Sequence, residues 1–177
     1  MPLMAEIETL LAKLEIQELY QRYARAVDRL DRPALEALYH SGAVEDHGFY
    51  VGPVAGFVDQ HMAMGATYRT THHHIAPALI EIEADVATAE AYFLVYQLSQ
   101  TQGEDTDEIF GGRYVDRIER RDGMWRFTYR RLVLDFSRAE PSKPWFTDAL
   151  RQQFRVLEGR RDASDEVYLR RSKLAPT

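Results

Sequence analysis

Arg120-Arg121-Asp122-Gly123-Met124-Trp125-Arg126-Phe127 is the stretch whose reading decides the fold. Asp-Gly between two alternating runs is a strong two-residue hairpin signal, because both turn positions need positive φ. It joins a strand over Glu108–Arg120 to one over Met124–Asp135, which carries Trp125, Phe127, Tyr129, Arg130, Leu132 and Leu134. Gly111-Gly112 in the first strand reads as a bulge or a close approach of backbone. Upstream, Val86–Thr101 alternates Ala89, Ala91, Phe93 and Val95 with Glu90, Tyr92, Leu94 and Tyr96. Glu83-Ala84-Asp85 turns that strand back onto another over Thr70–Glu83, and the acidic run Gln102–Asp107 is a solvated loop.

Ahead of this meander, Ala5 to about Leu30 repeats Ile7, Leu10, Leu11, Leu14, Leu19, Tyr20, Tyr23, Ala24 and Val27 at steps of three and four, which predicts a long helix. Asp31 caps a second helix over Pro33–Tyr39, with proline in its first turn. Ala43–Gly52 reads as a hairpin around His47-Gly48, and Pro53–Tyr68 as a third helix with Val54, Phe57, Val58, His61, Met62 and Met64 near its inner face. After Phe136 the pattern breaks into a linker over Pro141–Pro144, a short helix over Trp145–Phe154 and an extended polar tail over Arg160–Tyr168. A meander needs its apolar face covered, and helix one is the long element available. The expected fold is therefore α+β: a curved, mostly antiparallel sheet wrapped around the N-terminal helix as a cone enclosing a cavity. Residues 1–138 would form that domain, and residues 139–177 an arm serving as a lid or oligomer strap.

Composition narrows the function classes. The chain has 177 residues, 45% hydrophobic and 28% charged, enough for one domain with a sizeable core. A net charge of −6 argues against nucleic acid or anionic membrane as partners, since both require clustered basic surface. There is no cysteine, hence no disulfide framework and no thiolate chemistry. The N-terminus lacks the basic region of a signal peptide, and no apolar run approaches the ~20 residues that span a bilayer, so the cytoplasm is the expected compartment. No glycine-rich phosphate loop, nucleophile elbow or dinucleotide fingerprint occurs, and no cofactor is expected.

The strand at Thr70 opens Thr70-Thr71-His72-His73-His74. Side chains alternate, so His72 and His74 share one face, ~6.6 Å apart, and His73 stands on the other. A metal held by His72 and His74 needs a further ligand; His47, His61 or an acid would have to supply it, and no spacing demands this. His73 instead reads as a base facing an apolar pocket, since imidazole with a pKa of about 6.5 is usable near neutrality. Asp28, in the last turn of helix one, meets the negative end of the helix dipole at a cost of ~0.3–1 kcal/mol. It is either a solvated acid beside Arg25, Arg29 and Arg32 or the carboxylate that orients His73 and stabilises its imidazolium. Tyr23 lies about 140° from Asp28 around the helix and flanks the same cavity, as packed core or as a proton donor to a leaving hydroxyl. Arg130 shares a strand face with Leu132 and Leu134, where it would stabilise developing negative charge or form a structural ion pair. Tyr50, Tyr96 and His47 are candidate pocket-lining groups.

Ile16–Asp28, Thr71-His72-His73 and Glu119–Phe127 together resemble the SnoaL-like branch of the nuclear-transport-factor-2-like superfamily, over roughly Ala5 to Phe136. Within it the motifs are most similar to lyases of the bile-acid 7α-dehydratase, scytalone dehydratase and gamma-hexachlorocyclohexane dehydrochlorinase type. The resemblance places their His–Asp dyad on His73 and Asp28, and the dehydrochlorinase's arginine on Arg130. That enzyme's catalytic lysine is replaced by Tyr23, as in the bile-acid enzyme, which favours loss of water or another oxygen leaving group over loss of halide. It implies a cofactor-independent lyase, dehydratase-like, acting on an apolar cyclic molecule such as a steroid, polyketide or aromatic-like ring, and assembled as a homotrimer or homodimer. An isomerase or cyclase would use the same parts. A small subunit of a ring-hydroxylating dioxygenase, or a ligand-binding module, would share the fold without the chemistry.

Overall fold

The computed structural model describes residues 2–101 and 103–173, so Gln102 of the expected acidic loop and the last four residues of the arm lie outside it. Helix α1 (Pro2–Asp28) is followed by α2 (Arg32–Glu36), β1 (Tyr39–Asp46), β2 (Val51–Pro53) and α3 (Val54–Gly65). Five strands follow: β3 (Thr70–Ile75), β4 (Leu79–Glu83), β5 (Val86–Thr101), β6 (Glu104–Arg121) and β7 (Met124–Pro141). Helices α4 (Asp148–Phe154) and α5 (Glu166–Lys173) complete the order. The strands form one open sheet in the order β2-β1-β7-β6-β5-β3, with β4 also on β5. This is the expected α+β architecture.

The C-terminal half of α1 lies in the hollow of the sheet. Ala12, Ile16, Leu19, Tyr20, Tyr23, Ala26 and Val27 are buried there against Phe93, Val95, Tyr114, Ile118 and Phe127. The periodicity is misleading further upstream: Ile7, Leu10, Leu11 and Leu14 follow the same spacing yet are exposed, because the helix starts well before the sheet that covers it. Past Asp28 the chain turns through Leu30, a non-glycine residue at φ 52°, with Asp31 N–H donating back to Ala26 O at 3.0 Å. Asp31 then caps α2 as expected, accepting from Ala34 N–H at 3.1 Å.

Two strand readings are corrected. The Thr70–Glu83 run is two strands, broken at Ala76-Pro77-Ala78 because proline cannot donate to the ladder. Both pieces pair antiparallel with β5, and the break is held from α1, where the Gln17 side chain donates to Ala78 O and accepts from Ala78 N–H at 2.8 and 3.0 Å. The tail expected to be extended from Arg160 to Tyr168 instead enters helix α5 at Glu166. β6 and β7 also run on to Glu104 and Pro141, past the expected ends. A parallel pairing of β1 with β7 sets Glu45 opposite Arg130, a contact that no local pattern announces.

The hairpin turn has Asp122 and Gly123 at φ 52° and 77°, as Asp-Gly requires. At Gly111-Gly112 the register between β6 and β7 shifts. A Cβ on Gly112 would land on the Val133 carbonyl oxygen and close to the Phe93 ring. Gly112→Ala should therefore lower the urea midpoint, by about 1–3 kcal/mol in unfolding free energy. Gly123→Ala, which meets no atom, tests backbone strain alone.

Candidate active site

Between α1, α3 and the concave sheet is a cavity of about 230 Å³, just below the ~300–1,000 Å³ usual for ligand pockets. Its walls include Tyr23, His47, Phe57, His61, Thr71, His73, Phe110, Tyr114 and Leu132. A wider groove of about 430 Å³ shares His47, Phe49, Phe110 and Leu132 and runs out past Ser137 and Arg138.

Asp28, the last residue of α1, is anchored to β3 by three hydrogen bonds. Its Oδ1 accepts from Thr71 Oγ1 at 3.0 Å and from His73 Nδ1 at 2.6 Å, and its Oδ2 accepts from the His73 backbone N–H at 2.9 Å. Burial pushes the carboxyl toward its neutral form, but the hydrogen bonds and charge of His73, with Thr71, outweigh this and hold its pKa below the ordinary value. With Nδ1–H given to Asp28, Nε2 of His73 carries the lone pair. Thr71 and His73 point the same way, and His72 and His74 stand exposed on the other face. Among the described residues no three His, Asp or Glu side chains are grouped to hold a metal ion.

The dipole penalty at Asp28 is met from the arm. Arg161 donates from Nε to Asp28 O at 3.0 Å and from Nη1 to Tyr68 O at 2.9 Å and to Gly65 O. One guanidinium thus caps the open carbonyls of both α1 and α3. Arg29 pairs with the buried Asp165, and the Tyr168 hydroxyl donates to Asp31 at 2.9 Å, fastening the arm beside the same helix end.

Tyr23 is buried, lines the cavity, and meets Tyr114 edge to face at 5.7 Å. Burial, then Tyr114 and Glu45, drive its pKa well above that of a free tyrosine, so it stays protonated and can donate a hydrogen bond. Arg130 is not in the wall. It is fully buried in a two-pronged ion pair with Asp116, both bonds 2.8 Å, and sits 4.2 Å from the ring centres of Tyr23, Tyr114 and Phe127. The expectation that Arg130 faces substrate is corrected accordingly: Asp116 and the aromatic rings take up its charge.

Tyr50 and Tyr96 do not line the cavity either. The Tyr50 hydroxyl closes on its own hairpin at Pro53 O, 2.6 Å away. Tyr96 lies opposite in parity to the inward Phe93 and Val95, and donates to Asp107 at 2.8 Å. His47 does line it, and its Nε2 lies 2.8 Å from the fully buried Glu45. Glu45, Asp116 and Arg161 escaped the sequence reading. Only Glu45 had a local signal, its i, i+2 spacing to His47 at the turn that follows β1. His61 donates from Nε2 to Val27 O at 3.2 Å, and burial lowers its pKa to about 4 despite that bond.

The profile that defines the SnoaL-like domain matches residues 8–131, and the chain belongs to that family. No curated protein matches the chain. Among solved structures it is similar to a Mycobacterium tuberculosis protein of unknown function, at 26% identity and a TM-score of 0.63, covering 72% of this chain and 74% of that one. A type 2 hexachlorocyclohexane dehydrochlorinase superposes with a TM-score of 0.72 at 18% identity, covering 81% of this chain and 98% of its own. A candidate scytalone dehydratase from Novosphingobium aromaticivorans gives 0.66 at 19%, covering 78% and 96%. A Nostoc punctiforme protein described as having a cystatin-like fold is also similar, at 23% identity and a TM-score of 0.59, and these likenesses show that fold.

The depressed pKa of His61 has a signed consequence. The unfolded chain binds a proton there near pH 6.5 and the folded chain only near 4, so stability is full above that window and falls as pH drops through it. The loss attributable to His61 should approach about 3 kcal/mol at the acid end. Urea unfolding of wild type and His61→Gln at both pH values checks it: the variant's stability should depend less on pH.

Proposed function

We propose that the chain is a cofactor-independent lyase of dehydratase type, acting on an apolar cyclic substrate such as a steroid, polyketide or aromatic-like ring. The observation that carries the reading is the 2.6 Å contact of His73 Nδ1 with a charged, half-buried Asp28, on a histidine that lines an apolar cavity. His73 Nε2 takes the proton from carbon next to a carbonyl. Asp28 fixes the tautomer and stabilises the imidazolium that forms. Tyr23 donates a hydrogen bond to the oxygen on which charge develops, and Arg130 acts beneath it, holding the ring from 4.2 Å rather than touching substrate. An isomerase or cyclase would begin with the same proton transfer.

Residues 1–138 are then the catalytic cone, and residues 139–177 a strap that secures the end of α1 through Arg161. The exposed apolar residues of the α1 overhang, Leu3, Met4, Leu10, Leu11 and Leu14, fit burial against a second copy of the chain, as a homodimer or homotrimer. No helix among the described residues is long and apolar enough to cross a membrane.

Deuterium uptake from heavy water into a decalin-type bicyclic ketone, read by mass spectrometry, isolates proton abstraction. His73→Gln should slow it by about 10²–10⁴-fold and Asp28→Asn by about 10²-fold or more. Uptake unchanged in His73→Gln would exclude the dyad as the base. On size-exclusion chromatography, Leu10→Glu combined with Leu14→Glu should shift the full chain to monomer. An unchanged elution volume would remove the overhang as the interface.

A further inference from the structure

A second histidine–carboxylate pair stands in the same cavity. Glu45 lies near the end of β1 and His47 just past it, and their side chains meet on the cavity side. Glu45 is sealed from solvent; one oxygen accepts from the Tyr39 hydroxyl and the other from His47 Nε2 at 2.8 Å. The His47 ring packs on Phe57 at 4.6 Å between centroids and borders both the inner cavity and the outer groove. With Nε2–H committed to Glu45, Nδ1 has no hydrogen-bond partner among the described residues. His73 is wired in the opposite sense, Nδ1–H to Asp28 and Nε2 left over. The other titratable groups around His47 are Tyr39 behind Glu45, His61 from α3, Tyr114 from β6 and Arg130 on β7 opposite Glu45.

Burial strengthens the hold of Tyr23 on its proton, which makes it a weak acid. A departing hydroxide needs a better acid than a buried phenol. We propose that His47, charged against Glu45, is the general acid of the site: it gives its Nδ1 proton to the leaving oxygen while His73 Nε2 removes the proton from carbon. The proposal rests on His73 being the base, and it selects a substrate class, a cyclic β-hydroxy carbonyl compound. In the step the C–H bond breaks and its pair forms the C=C bond. The C–O bond breaks, and its pair takes the His47 proton to leave as water. His73 ends as imidazolium beside Asp28 and His47 as neutral imidazole; the proton returns through solvent, with no oxidant or reductant. The two pairs thereby divide the work, one carboxylate orienting a histidine that gains a proton and the other a histidine that loses one.

The test uses the full chain and two bicyclic probes, the decalin-type ketone for deuterium uptake and its β-hydroxy derivative for dehydration, followed by enone absorbance. Uptake needs the base alone, and dehydration needs base and acid. His73→Gln should slow both by similar factors. His47→Gln should slow dehydration by about tenfold or more beyond its effect on uptake, and Glu45→Gln should shift the ratio in the same direction. Equal slowing of both reactions by His47→Gln, or no slowing of dehydration, would overturn the assignment and leave His47 as wall. Unchanged uptake in His73→Gln strikes instead at the base, a separately readable failure. Binding of a bicyclic phenol, followed in the imidazole ¹H–¹⁵N spectrum of the wild type, gives a readout without turnover or substitution: the His47 nitrogen signals should move on binding, and static His47 signals would overturn the proposal.

Discussion

One carboxylate at a helix end ties the long helix to the sheet. Asp28 collects the Thr71 hydroxyl, the His73 ring and the His73 backbone N–H, so α1 and β3 share three hydrogen bonds at a single point. A carboxylate buried there without such donors would either protonate or drag water in with it. The anchor sets how far α1 enters the cone, and hence where Tyr23, a little more than one turn earlier, meets the cavity. Arg161 completes the arrangement by filling the carbonyl end of the helix, where a carboxylate is otherwise opposed by the dipole. The family profile ends at residue 131, so this cap comes from a segment outside the family domain.

Beneath the cavity a second constraint operates. Arg130 and Asp116 are both buried completely, and the same Asp116 accepts from the Tyr20 hydroxyl at 2.6 Å. Taking two charges from water is expensive, and such a pair is weak support for stability in itself. It does specify arrangement: a guanidinium lying against three aromatic rings fixes where α1, β6 and β7 cross. Losing one partner would leave an uncompensated buried charge, a loss of about 3–5 kcal/mol. The Tyr23 position is thus over-determined, from above by the Asp28 anchor and from below by the arginine.

Both histidine–carboxylate pairs form where a strand meets or leaves the cavity. On β3 alternation turns one of three consecutive histidines inward to Asp28, and at the end of β1 Glu45 meets His47 just past the strand. Between them, His61 stays neutral at ordinary pH because its burial outweighs its bond to Val27. The cavity therefore carries two imidazoles in contact with carboxylates and one that is not, an uneven distribution of charge around one small apolar space.

Alternation and the 3.6-residue period were enough to read the long helix, the hairpin at Asp122-Gly123, the meander and the inward direction of His73 from sequence. Each is a local property in which neighbouring residues dictate the outcome. Pairings between distant segments were not legible. The parallel contact of β1 with β7 brings Glu45 opposite Arg130, and the burial of Arg130 depends on Asp116 of β6 lying opposite it in register. Periodicity over-reached where cover ran out, so Leu10 and Leu14 repeat like core yet stand in solvent. Tyr50 and Tyr96 could not be placed because a tyrosine hydroxyl goes wherever a carbonyl or carboxylate lies within reach. The chain by itself determined its elements and the face each residue takes; only the tertiary structure decided which charges meet, since burial and partnership are properties of the assembled cone.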